Sequence, residues 1–208
     1  KRPASPKPDG TMVKDKLKPY RGKRDLCRTS EPQGGDADDR TPRFVIHKHD
    51  ASTLHYDFRL RIGDVLASWA VPKGPSTDPR DKRLAIRTED HPLDYIDFEG
   101  IIPEGEYGAG TVLVWDTGQY RNLRADKDAP MDMSTCLDDG LIEIWLEGDK
   151  LSGGYALKRF RDGDKPQWLL IKMDDDEADA RRRPTSTQPD SVKTGRRLGE
   201  IGEEKGRE

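Results

Sequence analysis

Three of the four histidines in this sequence lie within nine positions of one another. They are His47, His49 and His55, and the residues that follow His55 alternate between polar and apolar types. In a strand, such alternation puts His55, Asp57 and Arg59 on one face and the intervening aromatic and aliphatic residues on the other. We therefore expect one face of this strand to carry charge and the opposite face to pack on a core.

A hairpin that joins the strand of His49 to the strand of His55 would bring both rings next to Asp57. Two imidazoles and one carboxylate form a divalent-metal site with open coordination positions, and these ligands suit manganese, zinc or ferrous iron. His47 has the same parity as His49, so it could be a fourth ligand or a neighbour that supports the ligands. The competing interpretation is a surface strand with solvated side chains, but so many histidines in one hairpin favour a metal or phosphate site.

Further residues indicate phosphate chemistry beside this metal site. Arg59 follows Asp57 on the same face at about 6.5 Å along the strand, and a guanidinium can bind phosphate oxygens with two parallel hydrogen bonds. An ion pair between Arg59 and Asp57 is the alternative. His91 precedes Pro92 and is held in extended or turn geometry, and Tyr95 could present its hydroxyl to the same centre. A histidine off the metal can donate to a phosphate oxygen or protonate a leaving alkoxide.

The elements that must position these residues read as short strands separated by Gly, Pro and Asp turns. Eight runs have this character: 43–49, 54–62, 65–71, 83–87, 111–115, 141–146, 155–159 and 168–172. Only residues 129–137 look like an internal helix, with Gly140 just past its end. The pattern predicts an all-β fold, either a closed barrel or a sandwich.

Composition and charge divide the chain into three parts. The 208 residues include 37 basic and 40 acidic side chains, and only 32% are hydrophobic, so we expect one domain with tails. Residues 1–40 carry a net charge of +4, residues 41–173 of −5 and residues 174–208 of −2. The first part is predicted to be a basic flexible arm, either a linker or a clamp on nucleic acid. The last is predicted to be a charged tail without fixed structure.

Two classes of protein are excluded by what the sequence lacks. No apolar stretch approaches the ~20 residues that a membrane span needs, and no signal-peptide pattern follows the first charges. Cys27 and Cys136 are far apart and form no CxxC pair, so neither a disulfide framework nor a cysteine zinc site is expected. We expect a soluble protein of a reducing, intracellular compartment.

Four motifs of the sequence closely resemble the 3′-phosphoesterase domain of bacterial DNA ligase D. They are residues 49–60 (HDASTLHYDFRL), 68–75 (SWAVPKGP), 89–95 (EDHPLDY) and 107–112 (YGAGTV). The likeness extends over about residues 20–175. It implies a compact closed antiparallel β-barrel with one or two short helices. The implied enzyme removes a 3′-terminal ribonucleotide and then the 3′-phosphate from DNA, which leaves a 3′-hydroxyl for nonhomologous end joining.

The resemblance also implies roles for particular residues. The implied ligands of Mn²⁺, with other divalent metals possible, are His49, His55 and Asp57. The implied catalytic residues that hold the scissile phosphate are Arg59, His91 and Tyr95. The implied phosphate or DNA contacts are Lys73, Arg83, Glu89, Arg21, Lys23 and Arg24. The family more often has Gln at the position of His47, which is therefore assigned at most a supporting place beside the ligands.

The implied partners are a DNA primer–template with a 3′-ribonucleotide or 3′-phosphate end, the ligase and polymerase modules, and Ku. The implied location is the prokaryotic cytoplasm, away from membranes. Two rival hypotheses stay open on the sequence. His55, Asp57 and His91 formally match the two-histidine, one-carboxylate triad of iron oxygenases, in which His91 and not His49 would bind metal. A non-catalytic module that binds DNA ends is the other.

Overall fold

Alternating apolar residues and glycine-containing turns build nine strands in this chain. The structure is a computed structural model that describes residues 15–34 and 40–203. The strands are β1 (Arg43–Asp50), β2 (Leu54–Ile62), β3 (Val65–Val71), β4 (Lys82–Arg87), β5 (Gly100–Ile102), β6 (Gly110–Asn122), β7 (Leu141–Gly148), β8 (Ser152–Arg161) and β9 (Gln167–Lys172). The helices are α1 (Lys18–Gly22), α2 (Met133–Asp139), α3 (Pro184–Thr187) and α4 (Leu198–Gly202), and a 3₁₀ turn spans Leu93–Asp97.

Eight of these strands close into an antiparallel barrel. Their order is β1-β2-β3-β4-β9-β8-β7-β6, and the pairing of β6 with β1 closes the ring. The long strand β6 makes this possible, because its first residues pair with β5 and its last residues pair with β7, while its other edge follows β1. The predicted closed β-barrel is confirmed. Strand β5, which the sequence pattern missed, lies outside the ring.

One set of alternating side chains fills the barrel interior. It includes Phe58 and Leu60 of β2, Trp69 of β3, Trp115 of β6 and Trp168 of β9, each at most 1% exposed. Every strand of the ring contributes to this cluster, and all but β6, which contributes Leu113, Trp115 and Tyr120, do so with residues of one parity. Because large apolar side chains occupy the interior, the polar residues of β1 and β2 must face outward.

A second layer covers the outer face of β1, β2 and β3. It consists of residues 15–34, the 3₁₀ turn and β5, and it has its own apolar cluster, to which Tyr20, Val45, Leu66 and Ile96 belong. Two backbone hydrogen bonds join His91 to Leu66 of β3, at 2.8 and 3.0 Å. The outward polar face of β1 and β2 is therefore largely covered, and His55 at its edge keeps 23% of its side chain exposed.

The segment after β9 differs from the predicted unstructured tail. Residues 174–203 run along the barrel, and Ile201 of α4 is fully buried in the main core. The indole of Trp115 donates to the carbonyl of Gln188 at 2.8 Å, and Lys150 Nζ donates to the same oxygen at 2.9 Å. Composition suggested too little apolar surface for folding, but buried polar groups of the barrel hold this segment.

The N-terminal arm and the internal helix also differ from expectation in part. Residues 15–34 are built into the second layer, with Tyr20 fully buried, whereas residues 1–14 of the predicted arm lie outside the described residues. Helix α2 begins later than predicted because Asp132 caps it, accepting a hydrogen bond from the Thr135 backbone at 2.7 Å. Gly140 ends it in the left-handed conformation, with φ of 83°. Within the described ranges, no helix is long and apolar enough to cross a bilayer.

Candidate active site

The β1–β2 hairpin brings together the three predicted metal ligands. Its register sets His49 opposite His55 and His47 opposite Asp57. One ligand atom from each of His49, His55 and Asp57 lies within 4.8 Å of the other two. The carboxylate oxygens of Asp57 are 3.5 Å from Nδ1 of His49 and 3.7 Å from Nε2 of His55. The outward parity of these residues thus produces one compact donor cluster.

Hydrogen bonds to backbone carbonyls orient both histidine rings for metal binding. Nε2 of His49 lies 2.9 Å from the carbonyl oxygen of Gly108, and Nδ1 of His55 lies 2.8 Å from that of Thr53. A carbonyl oxygen only accepts, so these ring nitrogens carry the protons. The other nitrogen of each ring faces Asp57, and it is the atom that would coordinate a divalent metal. The donor set therefore fits a metal of the manganese, zinc or ferrous type.

Asp57 is ionised despite its burial. Burial alone would raise its pKa, but the guanidinium of Arg59, with His49 and His55, holds the pKa of this carboxyl well below its usual range. Arg59 Nη2 donates to Asp57 at 3.1 Å. The ion pair predicted as an alternative to a phosphate contact is therefore present, and it joins the donor cluster to a buried cation.

Arg59 is fixed on several sides. It is 3% exposed, and its guanidinium donates to Ser68 Oγ at 2.8 Å and to Nδ1 of His47 at 3.3 Å. Its Nη1 lies 2.9 Å from Nδ1 of His91, and its carbon lies 5.0 Å from the ring centroid of Tyr95. The fully buried His47 thus contacts Arg59, and it is not part of the donor cluster of His49, His55 and Asp57. These contacts hold the guanidinium between that cluster and His91.

His91 lies between two arginines. Nη2 of Arg24 is 3.3 Å from its Nε2, Arg59 approaches its Nδ1, and the carbonyl oxygen of Glu89 is 3.0 Å from the same Nδ1. Burial, with the positive charges of Arg59 and Arg24, lowers the pKa of His91 well below its ordinary value. The ring is therefore neutral near pH 7 in this arrangement.

Tyr95 has its ring in the site but its hydroxyl elsewhere. The ring packs edge-on against His91, with centroids 4.8 Å apart, and the hydroxyl donates to Oε1 of Glu31 at 3.0 Å. Burial and the charge of Glu31 raise the pKa of this phenol well above its ordinary value, so it remains a donor. The ring of Tyr95 thus contacts His91 and Arg59, while its hydroxyl, which the sequence suggested would face the same centre, bonds Glu31.

Two residues that the sequence did not single out support this site. Glu31 is 3% exposed and accepts from Arg24 Nε at 2.9 Å as well as from Tyr95. Ser68 bonds Arg59 directly. The signal for Ser68 was its parity, because a polar residue on the outward face of β3 must stand beside the outward residue of β2. Glu31 carried no such signal, since it lies in a segment without periodicity.

The basic residues before β1 are divided among different roles. Arg24 is buried against the ring of Tyr20, 4.0 Å from its centroid, and forms ion pairs with Glu31 and Glu89. Lys23 pairs with Glu89 at 3.0 Å, and its side chain is 43% exposed. Arg21 pairs with Asp15, and both are exposed. Arg24 thus belongs to the site itself, while Lys23 and Arg21 face solvent.

Glu89 is held as an ion near the mouth of the site. Burial alone would raise its pKa, but hydrogen bonds from its own backbone N–H and from Lys23 and Arg24 keep the pKa below its ordinary value. Lys73 is exposed on the turn after β3. Arg83 pairs with Asp81 at 2.8 Å. Neither Lys73 nor Arg83 lines the cavity at the donor cluster.

This cavity has a volume of about 320 Å³. Its polar walls are formed by the donor cluster and by Arg24, Arg59 and His91. Its apolar walls come from β3, β5 and the glycine-rich loop before β6. The lining residues are Arg24, His49, Ala51, His55, Asp57, Arg59, Ala70, Thr88, Glu89, His91, Tyr95, Ile102, Tyr107 and Gly108. The candidate metal ligands and the two buried arginines therefore face one space.

The fold and this site define a closed β-barrel protein with a candidate metal centre next to a candidate anion site. A family model described as the DNA ligase D 3′-phosphoesterase domain matches residues 47–159. The chain belongs to this family, as its four sequence motifs indicated.

Curated relatives agree with this assignment. A multifunctional non-homologous end joining protein LigD of Pseudomonas aeruginosa is 47% identical over 193 residues, which cover 88% of this chain and 22% of that protein. Its counterpart in Mycolicibacterium smegmatis is 40% identical over 171 residues, covering 78% and 21%. The non-homologous end joining DNA repair protein LigD of Mycobacterium tuberculosis is 43% identical over 165 residues, covering 77% and 20%. The chain thus spans about a fifth of the length of these relatives.

Proposed function

We propose that this domain is a manganese-dependent phosphoesterase that processes the 3′ ends of DNA. In this proposal it removes a terminal ribonucleotide and a 3′-phosphate, and it leaves a 3′-hydroxyl. The observation that carries the proposal is the hydrogen bond between Arg59 and Asp57, at 3.1 Å. This bond joins the metal-ligand cluster to a buried cation, so one phosphate can contact both.

Arg59 retains hydrogen-bonding capacity for a phosphate. A guanidinium has five N–H groups, and three of them are directed to His47, Ser68 and Asp57. Of the remaining two, the one on Nη1 points toward Nδ1 of His91, 2.9 Å away, and the one on Nη2 is available to a phosphate oxygen. A divalent cation held by His49, His55 and Asp57 supplies Lewis-acid polarisation of the phosphate. Arg59 stabilises the charge that develops on the same oxygens, without reorganising its contacts.

His91 acts on the opposite side of Arg59 in this proposal. Burial and the positive charges of Arg59 and Arg24 lower the pKa of His91 and keep the free ring neutral. A phosphate bound against Arg59 brings negative charge, offsets the arginines and favours the protonated ring. His91 can then donate a proton to the leaving oxygen as a water molecule attacks phosphorus and the bond from phosphorus to that oxygen breaks. Tyr95 and Glu31 hold His91 and Arg24 in place, so we propose them as positioning residues.

The geometry disfavours the oxygenase hypothesis. That hypothesis requires His91 to bind the metal and His49 to stay outside. In the structure His49 belongs to the donor cluster, and His91 is enclosed by Arg24 and Arg59, whose positive charges repel a cation. A non-catalytic end-binding module would have no need for open metal positions beside a phosphate site.

The relatives named for non-homologous end joining suggest the setting. We propose that the substrate is a primer–template end that carries a 3′-ribonucleotide or 3′-phosphate. The proposed partners are the ligase and polymerase modules of the same repair machinery and Ku. We propose that the domain works in the prokaryotic cytoplasm. Of the residues predicted to contact DNA, Lys73 and Arg83 lie outside the cavity, so any contact from them is to more distant parts of the duplex.

A primer–template assay tests the proposed activity. The purified chain is incubated with a 5′-labelled primer–template that ends in a ribonucleotide or a 3′-phosphate, with manganese, magnesium, zinc or EDTA. We expect shortening or dephosphorylation with manganese, none with EDTA, and none for His49→Ala. Lys158→Ala, which changes an exposed lysine on β8, is the matched control. Unchanged 3′ ends with manganese would refute the enzyme, and full activity of His49→Ala would refute the ligand assignment.

A further inference from the structure

A second cavity continues from the candidate active site. Its volume is about 470 Å³, and we name it the side cleft. It shares Ala70, Thr88, Glu89 and Tyr107 with the cavity at the metal cluster. Its remaining lining residues are Lys23, Ile86, Arg87, Asp164, Lys165 and Pro166. The end of β4 and the loop between β8 and β9 form its far wall, so the cleft leads away from the metal cluster along the barrel surface.

The side cleft contains an exposed aromatic ring and several cationic side chains, which differ in whether they are paired with an acid. Tyr107 is 47% exposed although it is a large aromatic residue. Lys23 Nζ lies 4.7 Å from the centroid of its ring. Lys165 is exposed, and it has no ion pair with any residue that the structure describes. Arg87 is paired with Asp90, which leaves Lys165 as the cation of this wall most open to a ligand.

An exposed aromatic ring and a free cation along one groove are the usual elements of a single-strand binding surface. A base can stack on the ring, and the cation can contact the backbone phosphate. Both are independent of sequence, because every base has a π-face and every linkage has a phosphate. The side cleft therefore supplies both contacts; of its two carboxylates, Glu89 is paired with Lys23 and Arg24, and Asp164 is exposed beside Lys165.

We propose that the side cleft binds the nucleotides immediately upstream of the 3′ end, with a base on Tyr107 and a backbone phosphate at Lys165. This inference rests on the proposed function, and it requires the last bases of the primer to be unpaired from the template when they enter the cavity. A 3′ end has strand on one side of its last phosphate only, so the strand must leave the active-site cavity in one direction. The side cleft has four lining residues in common with that cavity and provides such a path.

A binding measurement tests the side cleft without requiring catalysis. Fluorescence anisotropy follows a 5′-fluorescein hexanucleotide with a 3′-phosphate as it binds in EDTA. Tyr107→Ala should weaken binding about tenfold, since stacking on an aromatic side chain contributes this order of affinity. Tyr107→Trp should retain wild-type affinity. Lys165→Ala should reduce the slope of log Kd against log salt by about 0.7, whereas Lys158→Ala on the outer surface of β8 should leave the slope unchanged.

A hydrolysis series separates this proposal from the proposed function. The substrates are a nucleoside 3′-monophosphate and 3′-phosphorylated oligonucleotides of two, three and six residues. For the wild type, kcat/KM should rise over the first three residues, and Tyr107→Ala should reduce the ratio of hexamer to monomer about tenfold. Equal ratios in wild type and variant, or equal anisotropy curves, would overturn the side cleft while leaving the enzyme intact. If no substrate reacts, the enzyme proposal fails and the anisotropy result alone decides the cleft.

Discussion

The two faces of β2 differ in what they bury. Inward, Phe58 and Leu60 enter an apolar interior that every strand of the barrel helps to fill. Outward, Asp57 and Arg59 are almost equally buried, at 6% and 3% exposure, but they lie under a separate layer formed by other parts of the chain. Adjacent residues of one strand thus occupy two different environments.

The difference shows how a small barrel can hold buried charges without disrupting its core. Burial of apolar side chains contributes about 1.5–3 kcal/mol each, and the interior supplies this. Burial of charge is costly unless partners compensate, and on the outer face each charged group has several. We therefore expect inward substitutions to change stability and outward substitutions to change activity.

The largest expected effect is on the outward face. His55→Ala should lower hydrolysis of a 3′-phosphorylated primer by about 10³-fold or more, because the ring is one of the three proposed metal ligands. The side chain is 23% exposed, so the melting temperature should stay within about 3 °C of wild type. Calorimetric titration with manganese should show weakened binding. Strong manganese binding with full activity would contradict the assignment, and a collapse in stability would contradict the separation of the two faces.

The matching change on the inward face is Phe58→Ala. It should lower the free energy of unfolding by about 3–5 kcal/mol, since it removes a buried ring and leaves a cavity in the interior. Urea denaturation measures this loss. At a temperature where the variant is folded, its kcat should stay within about threefold of wild type. A variant that is stable but inactive would mean that the interior also serves the chemistry.

Substitutions of the proposed positioning residues Glu31 and Tyr95 should have an intermediate effect on kcat. Glu31→Gln keeps the size of the side chain but removes the charge that Arg24 and Tyr95 contact. We expect kcat to fall about 10- to 100-fold, as for other groups that hold a reacting residue in place. Tyr95→Phe should have a smaller effect in the same direction, because only the hydrogen bond to Glu31 is lost. Glu143→Gln, which removes an ion pair on β7, is the control and should leave kcat unchanged.

The neutral state of His91 predicts how stability depends on pH. Its pKa is lowered in the folded protein, so protonation favours the unfolded chain. This contribution is complete above the unfolded pKa of about 6.5 and is lost as the pH falls below it, by at most about 1.4 kcal/mol per pH unit. His91→Gln should remove this component. Urea denaturation between pH 7.5 and 5 checks it, and parallel curves for the two proteins would contradict a neutral His91.

Much of the barrel and of the donor cluster could be predicted from alternation in the sequence. Strand β2 has a strict period-two pattern from His55 to Ile62, and a short hairpin forces His49 beside His55. Strand β5 escaped because it has three residues, too few for a pattern. Helix α2 begins later than the sequence predicted, because the N-cap at Asp132, and not the earlier proline, fixes its start.

The second layer and the final segment could not be predicted, because tertiary partners hold them in place. Glu31 and Tyr20 lie in a stretch without periodicity, and their partners are Arg24, Pro32 and Tyr95. The final segment is polar, yet its carbonyl at Gln188 meets buried donors of the barrel. Composition counts apolar residues and cannot register such contacts. The second layer over the site was therefore missed for the same reason as the ordered final segment, residues 174–203.

The smallest effect is expected at the edge of the second layer. Arg21 is exposed and pairs with exposed Asp15, and such a pair contributes at most about 1 kcal/mol. Arg21→Ala should therefore leave the unfolding midpoint in urea nearly unchanged. If Arg21 contacts the DNA backbone as predicted, the variant should bind a primer–template a few-fold more weakly at low salt, and the slope of log Kd against log salt should fall by about 0.9. An unchanged slope would remove Arg21 from the proposed DNA surface, while a large loss of stability would mean that the layer depends on surface charge and not on the buried contacts of Tyr20, Arg24 and Glu31.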